Sequence, residues 1–187
     1  MNTDENELTR VLNSVGSSQA SEELLPLVYE ELRRLAAARM AQESSGHTLQ
    51  GTALVHEAWM RIAGAGVQRW ANRGHFFAAA AEAMRRILIE NARRKSRIKH
   101  GGGQIRVDIE GLDFAAASPD EQILLMDEAL ERLKTEDPEK AKIVLMKFFG
   151  GLTNQEVAET LNVTERTVER QWAYAKAWLF RDLRGEK

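Results

Sequence analysis

Residues 152–183 read LTNQEVAETLNVTERTVERQWAYAKAWLFRDL, and the interpretation of the chain is built outward from them. Thr153 is placed to cap the N-terminus of a helix, and Glu156 three residues later completes a capping box. Asn162 tolerates a left-handed backbone and therefore predicts a tight turn. Thr164 caps a second helix, whose apolar residues recur at helical spacing. The stretch thus predicts two amphipathic helices joined by a short turn.

Polar residues crowd the first turns of the second helix. In a helix-turn-helix these positions face base edges in the DNA major groove, where Arg, Gln and Thr are suited to direct readout. Two amphipathic helices of an ordinary bundle are the alternative, and the polar cluster argues against it. The predicted base-reading residues are Thr164, Glu165, Arg166, Thr167, Arg170 and Gln171.

Length and composition favour an all-α protein. The chain has 187 residues, of which 43% are hydrophobic and only three are Pro, so it can bury one or two small helical cores. No apolar run is long enough to span a membrane, and the acidic N-terminus is unlike a signal peptide. The absence of Cys excludes thiolate chemistry and fits a cytoplasmic protein. The four His residues lack ligand spacing, so we expect no metal and no cofactor.

The formal net charge of -2 hides an uneven distribution of charge. Residues 61–106 carry eleven Lys or Arg against two acidic residues, whereas residues 1–60 carry four basic and nine acidic residues. The basic segment contains a long helix predicted from His75 to about Lys99. Five cations lie within residues 93–99, more than a helix dipole alone favours, so the segment predicts a polyanionic partner.

The loop predicted from Gly64 to Gly74 precedes this helix and contains Trp70. A Trp in such a loop either covers a core or provides a platform on which a base stacks. Further along, Gly101-Gly-Gly and the aperiodic residues 105–119 predict a linker. We therefore predict two small helical domains, residues 1–99 and 120–187, joined by a flexible linker at residues 100–119.

Three segments together resemble a known family. They are LVHEAWMRI at residues 54–62, HFFAAAAEAMRRILIENARR at residues 75–94, and residues 152–170. With two helical domains joined by a linker, they resemble bacterial RNA polymerase sigma factors of the extracytoplasmic-function (ECF) group over roughly residues 20–184. The resemblance implies a protein that is not an enzyme and that directs promoter-specific transcription initiation.

The resemblance also implies roles for individual residues. The first signature would bind the clamp helices of the largest subunit of core RNA polymerase, through Leu54, Val55, Glu57, Trp59 and Met60. The second, with its preceding loop, would recognise the -10 element of the promoter DNA and help to melt it, through Trp70, Asn72, Arg73, Arg85, Arg86, Arg93, Arg94 and Arg97. The polar residues of the predicted helix-turn-helix would recognise the -35 element.

The polymerase-binding segment departs from the family in being poor in acidic residues. Its lead-in, residues 48–53, reads TLQGTA, and Glu57 stands nearly alone. The sequence resembles a subgroup for which control by a serine/threonine kinase is expected. Our hypothesis is that phosphorylation of Thr52, with Thr48 as the second candidate, supplies the missing negative charge. The alternative is that both threonines only cap the helix. An anti-sigma factor is the other controlling partner to consider.

Two rival functions make different demands on the sequence. A stand-alone helix-turn-helix transcriptional regulator of the quorum-sensing or response-regulator type would begin with an α/β domain, yet no strand alternation precedes residue 100. A recombinase or nuclease would need a carboxylate cluster for metal or a nucleophilic Ser beside Arg residues. The basic segment has only two acidic residues, so both rivals are less well supported than the sigma factor.

Overall fold

The computed structural model of the protein describes residues 32–33, 51–63, 73–99 and 117–184. All regular structure in these ranges is helical, which confirms the predicted all-α class. The elements are α1 (Gly51–Ala63), α2 (Arg73–Lys99), α3 (Pro119–Glu136), α4 (Pro138–Val144), a π-helical turn (Leu145–Phe149), α5 (Asn154–Leu161) and α6 (Glu165–Leu183). Residues 1–31 of the predicted first domain and most of the predicted linker lie outside the described residues.

Local capping chemistry fixes where the C-terminal helices begin. Ser118 accepts a hydrogen bond from the Glu121 backbone N–H, and the Glu121 carboxylate accepts one from the Ser118 N–H at 2.7 Å, so α3 starts with a capping box. Asp137 ends α3 and caps α4 by accepting from the Lys140 N–H at 3.0 Å. Ser118-Pro119 and Asp137-Pro138 therefore each open a helix, with Pro in the first turn.

The two-helix unit at residues 152–183 is also built as predicted. Thr153 and Glu156 form the expected capping box at the start of α5. Asn162 adopts the left-handed conformation with φ 54°, and Thr164 caps α6 by accepting from the Thr167 N–H at 3.2 Å. Each of these contacts joins residues within three positions of each other, so the sequence alone is sufficient to predict them.

A π-helical turn connects α4 to α5. The Gly150 N–H donates to the Leu145 carbonyl at 3.1 Å, and Gly151 then takes φ 70°, a conformation that Gly adopts without a steric penalty. The half-buried Lys147 donates to the Asn154 side chain at 2.7 Å and so joins the turn to the start of α5. Burial lowers the pKa of Lys147.

The helices α1 and α2 pack against each other along an apolar seam. Buried residues of α1 and of α2 belong to one hydrophobic core, and Leu32 is buried in the same core. The residues that these two helices contribute to the core include Leu54, Val55, Ala58, Trp59, Ile62, Phe76, Ala80, Met84 and Ile87. The helix α2 starts at Arg73, so the prediction of a loop as far as Gly74 was wrong for its last two residues.

The C-terminal helices pack on a different face of α2. The contacts come from α3, from the π-helical turn and from α5, and the buried residues of all of them belong to the same core as α1. The approach is close: a Cβ atom added to Gly74 would lie 2.6 Å from the Thr160 Cα, and one added to Gly150 would lie 2.7 Å from the Ala81 Cβ. The division of the chain into two domains remains a prediction.

Candidate nucleic-acid and polymerase interfaces

The first turns of α6 form an exposed polar surface. Glu165, Arg166 and Arg170 are exposed, while Thr167 and Gln171 are half-buried beside them. The exposed cap residue Thr164 shares a hydrogen bond with the Thr167 hydroxyl at 2.8 Å. The six predicted base-reading residues are therefore the N-cap Thr164 and five residues of the first two turns of α6.

The rest of α6 anchors this polar surface to the fold. Its opposite face buries Val168, Ala175, Trp178 and Leu179. The Trp178 indole N–H donates to Glu136 at 3.0 Å, and Arg132 of α3 pairs with Asp182 at 2.6 Å. The hydrogen bond to Asp182 raises the pKa of Arg132, which stays charged. The helix is thus held against α3 through its C-terminal half, and its polar N-terminal surface is pre-positioned.

Four of the predicted -10 residues lie at the surface of α2: Arg86, Arg93, Arg94 and Arg97. Arg86 pairs with Glu82 at 3.0 Å, as the i,i+4 spacing predicts. Glu90 lies at the same spacing on the other side of Arg86, but it pairs with Arg61 of α1 at 2.5 Å. The exposed guanidinium groups form the basic surface of α2.

Arg85 is set apart from these residues by burial. Its side chain is only 11% exposed, and its Nε donates to the Asp127 Oδ1 of α3 at 2.7 Å. A second nitrogen pairs with Glu131 at 2.6 Å. Burial acts to lower the pKa of Arg85, but the hydrogen bond and charge of Asp127 outweigh it, so the pKa is raised and the group remains a cation. Arg85, which the resemblance assigns to the -10 element with the other cations, is therefore enclosed by α3 and not exposed beside them.

Asp127 is a buried partner of Arg85 that the sequence interpretation missed. It is the one buried charged residue among the described parts of the chain. Its position carries a usable signal, because it interrupts the apolar stripe of α3 between Ile123 and Leu130. An acidic residue at a core-facing position requires a buried cationic partner, and a helix as basic as α2 can supply one.

The predicted polymerase-binding residues of α1 divide into two groups. Leu54, Val55 and Trp59 are buried in the seam with α2, whereas Glu57 and Met60 are exposed, Met60 by 58%. The exposed face of α1 also contains the residues Thr52, Ala53, His56 and Arg61. Thr52 lies in the first turn of α1, which has no acidic residue.

Some predicted site residues are beyond what the structure describes. Thr48, Trp70 and Asn72 lie outside the described residues, and only the helical backbone of Arg73 is described. Within the described ranges, no three His, Asp or Glu side chains gather in a way that suits a metal ion. Within the same ranges no helix combines the length and the apolar character needed to cross a membrane.

The described part of the chain is all-helical, with an exposed polar surface at the start of α6 and a basic surface on α2. The particular family follows from comparison with known proteins: residues 5–185 match the family model described as ECF sigma factor. This match covers nearly the whole chain, and the chain belongs to the ECF sigma factor family. The comparisons with curated proteins and with solved structures give no match.

Proposed function

We propose that this protein binds core RNA polymerase and directs it to promoters by recognising two DNA elements. The observation that carries the proposal is the polar surface at the N-terminus of α6, which is exposed while the reverse face of the helix is locked in the core. Arg166 and Arg170 are placed to reach base edges of the -35 element in the major groove. A helix that only stabilised the fold would not need this exposed cluster of polar side chains at its N-terminus.

The basic surface of α2 takes the -10 element in this proposal. Arg86, Arg93, Arg94 and Arg97 are exposed and suited to phosphate contacts. Trp70 and Asn72, in the segment before α2, are the residues we assign to capture of an unstacked base. Unstacking costs a few kcal/mol, and binding of the separated strand to cations and an aromatic ring offsets this cost.

The exposed face of α1 is the proposed contact with the clamp helices of the polymerase. Glu57 and Met60 offer a carboxylate and an apolar side chain to a partner, and burial of Leu54, Val55 and Trp59 holds the helix in place beneath them. Core RNA polymerase is a cytoplasmic enzyme in bacteria, so the cytoplasm is the proposed location of the complex.

Phosphorylation of Thr52 is the proposed control of this contact. Its side chain is exposed in the first turn of α1, and no carboxylate is present in that turn. A phosphate there would add a charge of about -1.5 to -2 at a helix N-terminus, where the helix dipole stabilises anions. Thr48 is the second candidate. A serine/threonine kinase is therefore the controlling partner we favour, with an anti-sigma factor as the alternative.

The test is a pull-down of core RNA polymerase by the purified chain, with wild type, Thr52→Glu and Thr52→Ala in parallel. Binding by any form supports the sigma factor assignment. Binding by Thr52→Glu and by kinase-treated wild type, but not by Thr52→Ala after the same treatment, supports the switch. Equal binding by all three forms reduces Thr52 to a residue that helps to start the helix. No binding by any form, even after kinase treatment, contradicts the proposed function.

A further inference from the structure

The two halves of α6 are held in the fold to different extents. The C-terminal half buries Ala175, Trp178 and Leu179, and side-chain hydrogen bonds also join it to α3. The N-terminal half carries the candidate base-reading residues, and within it only Val168 is buried. This half therefore has less burial to fix the direction in which a side chain such as Arg170 points.

Trp172 is the second anchor of the N-terminal half. It lies one turn after Val168, and its half-buried ring packs against the hydrophobic core. The Lys147 ammonium group, from the π-helical turn, lies 5.6 Å from the centroid of this ring, which is within the range of a cation–π interaction. Lys147 thus contacts α6 two positions away from Arg170.

The same ammonium group also contacts the start of α5. It donates to the Asn154 Oδ1 at 2.7 Å and to the Leu152 carbonyl oxygen at 3.3 Å. These two residues flank Thr153, the N-cap of α5. Lys147 therefore contacts both helices of the two-helix unit at residues 152–183, α5 through hydrogen bonds and α6 through the Trp172 ring.

The charge of Lys147 does not itself favour the folded state. Burial is the largest effect and lowers the pKa of Lys147, and the charge of Lys176 acts in the same direction, against the attraction of Glu156. A lysine whose pKa is lower in the folded chain than in the unfolded chain destabilises the fold at pH values below the folded pKa, where it is charged. An apolar side chain of similar length would avoid this cost, but it would not make the directional contacts of the ammonium group.

We propose that Lys147 is a positioning residue for recognition of the -35 element, which sets the orientation of α6 relative to α5 and so directs the base-reading side chains into the major groove. This inference rests on the proposed function of α6 as the -35 surface. Lys147 acts through Trp172 and through the start of α5, without contacting DNA. Because hydrogen bonds to base edges require a close match of distance and angle, loss of Lys147 reduces discrimination between sequences more than it reduces binding to DNA in general.

The first test measures how the complex of this chain with core RNA polymerase discriminates between -35 sequences. The probes are two duplexes: a preferred one, selected by the wild-type complex from a library randomised at the -35 element, and a scrambled version of it. We expect Lys147→Met to lower affinity for the preferred duplex about ten-fold and for the scrambled duplex less than about two-fold. Lys147→Arg keeps a charged donor and should stay within about three-fold of wild type on both duplexes.

The matched control is Lys142→Met, the same substitution at an exposed residue of α4 that pairs with Glu139 at 2.7 Å. It should change both affinities by less than about two-fold. Salt dependence separates positioning from direct contact: Lys147→Met should leave the slope of log affinity against log salt unchanged, whereas loss of a phosphate contact reduces it by about 1. A slope reduced by that amount, or equal losses on both duplexes, overturns the proposal.

The second test keeps the proposal falsifiable if Lys147→Met is less stable than wild type. Asn154→Leu removes the side-chain oxygen to which Lys147 donates, and it should also lower discrimination between the two duplexes. Because both variants break the same contact, their losses should not add when they are combined. Additive losses overturn the proposal. Urea denaturation accompanies both tests, and we expect the midpoint of Lys147→Met to be no lower than that of wild type.

The outcomes distinguish this inference from the proposed function. If the wild-type complex selects no preferred -35 sequence from the library, the proposed function is contradicted, and the inference with it. If the wild-type complex selects a preferred sequence and Lys147→Met discriminates as well as wild type does, the inference alone is overturned.

Discussion

The helices α2 and α6 both carry candidate DNA-binding cations, but they present them differently. On α6, Arg166 and Arg170 stand apart from the buried face and project to solvent. On α2, two faces are covered by other helices, and one cation, Arg85, is enclosed by carboxylates of α3. When one face of a helix is covered, the sequence pattern distinguishes its exposed cations from its buried residues. When two faces are covered, the pattern does not show which cations are buried.

The difference has an energetic side. An exposed pair such as Arg86 with Glu82 contributes little, because water and salt screen both charges. Arg85 has given up most of its hydration, so Asp127 and Glu131 must replace the water that it loses. Arg85 is therefore the cation on α2 that is least available to DNA, and it is also the one on which the packing of α2 against α3 depends most.

The largest expected effect comes from replacing Arg85. Arg85→Ala leaves Asp127 buried without its main partner, and we expect a loss of about 3 kcal/mol in the free energy of unfolding. Arg86→Ala, as the matched control on the same helix, should cost less than about 1 kcal/mol. Urea denaturation of the two variants measures both values. Similar losses for the two would mean that α3 does not enclose Arg85 in solution.

The next effect distinguishes base readout from phosphate contact. Arg170→Ala should weaken binding of the polymerase complex to its preferred promoter by about 1–3 kcal/mol and relax the preference for one -35 sequence. Arg94→Ala should weaken binding almost equally for all sequences and reduce the slope of log affinity against log salt by about 1. Affinities for a set of -35 variants at several salt concentrations provide the measurement. If both variants behave alike, the division of roles between α6 and α2 is wrong.

The sequence was sufficient wherever a contact joins near neighbours. The caps at Thr153 and Thr164 and the left-handed Asn162 depend on side chains within three positions, so residue type and order specify them. Arg85 and Asp127 are 42 positions apart, and Arg61 and Glu90 are 29 apart. Helical periodicity indicates which residues are buried, but it does not say which element buries them.

The same limit explains the mixed outcome on α1. The signature at residues 54–62 was interpreted as a polymerase contact throughout, yet Leu54 and Val55 are fully buried against α2. The resemblance gave the role of this segment, and the structure shows that it is the helix α1. Only the packing of α2 shows that Glu57 and Met60 are the side chains of that set left for a partner.

A smaller effect tests the close approach of α2 to α5. A Cβ atom at Gly74 would lie 2.6 Å from the Thr160 Cα, so Gly74→Ala must push the helices apart. Overpacking of this kind costs about 1–3 kcal/mol, while Ala in place of Gly in a helix gains up to about 1 kcal/mol. We expect a net loss of about 1 kcal/mol by thermal or chemical denaturation. A net gain in stability would show that the two helices are apart in solution.

The smallest effect is a change with pH of less than about 1 kcal/mol, and it concerns the Asp137 cap, which has no part in either DNA-binding surface. The pKa of Asp137 is lowered, first by the hydrogen bond from the Lys140 side chain and then by the Lys140 backbone N–H. Its carboxylate therefore stabilises the fold above the pKa of the unfolded chain, and this contribution is lost as pH falls through the lowered folded pKa. Asp137→Ala should cost about 1 kcal/mol at pH near 7 and less at pH near 2, as measured by urea denaturation.

Thr164→Ala removes an uncharged cap and should cost about the same at both pH values. If the cost of Asp137→Ala does not change with pH, the charge of the carboxylate does not contribute to the stability that this cap provides. Because both caps are local, this pair also tests whether residues predicted from sequence behave in solution as their immediate neighbours dictate.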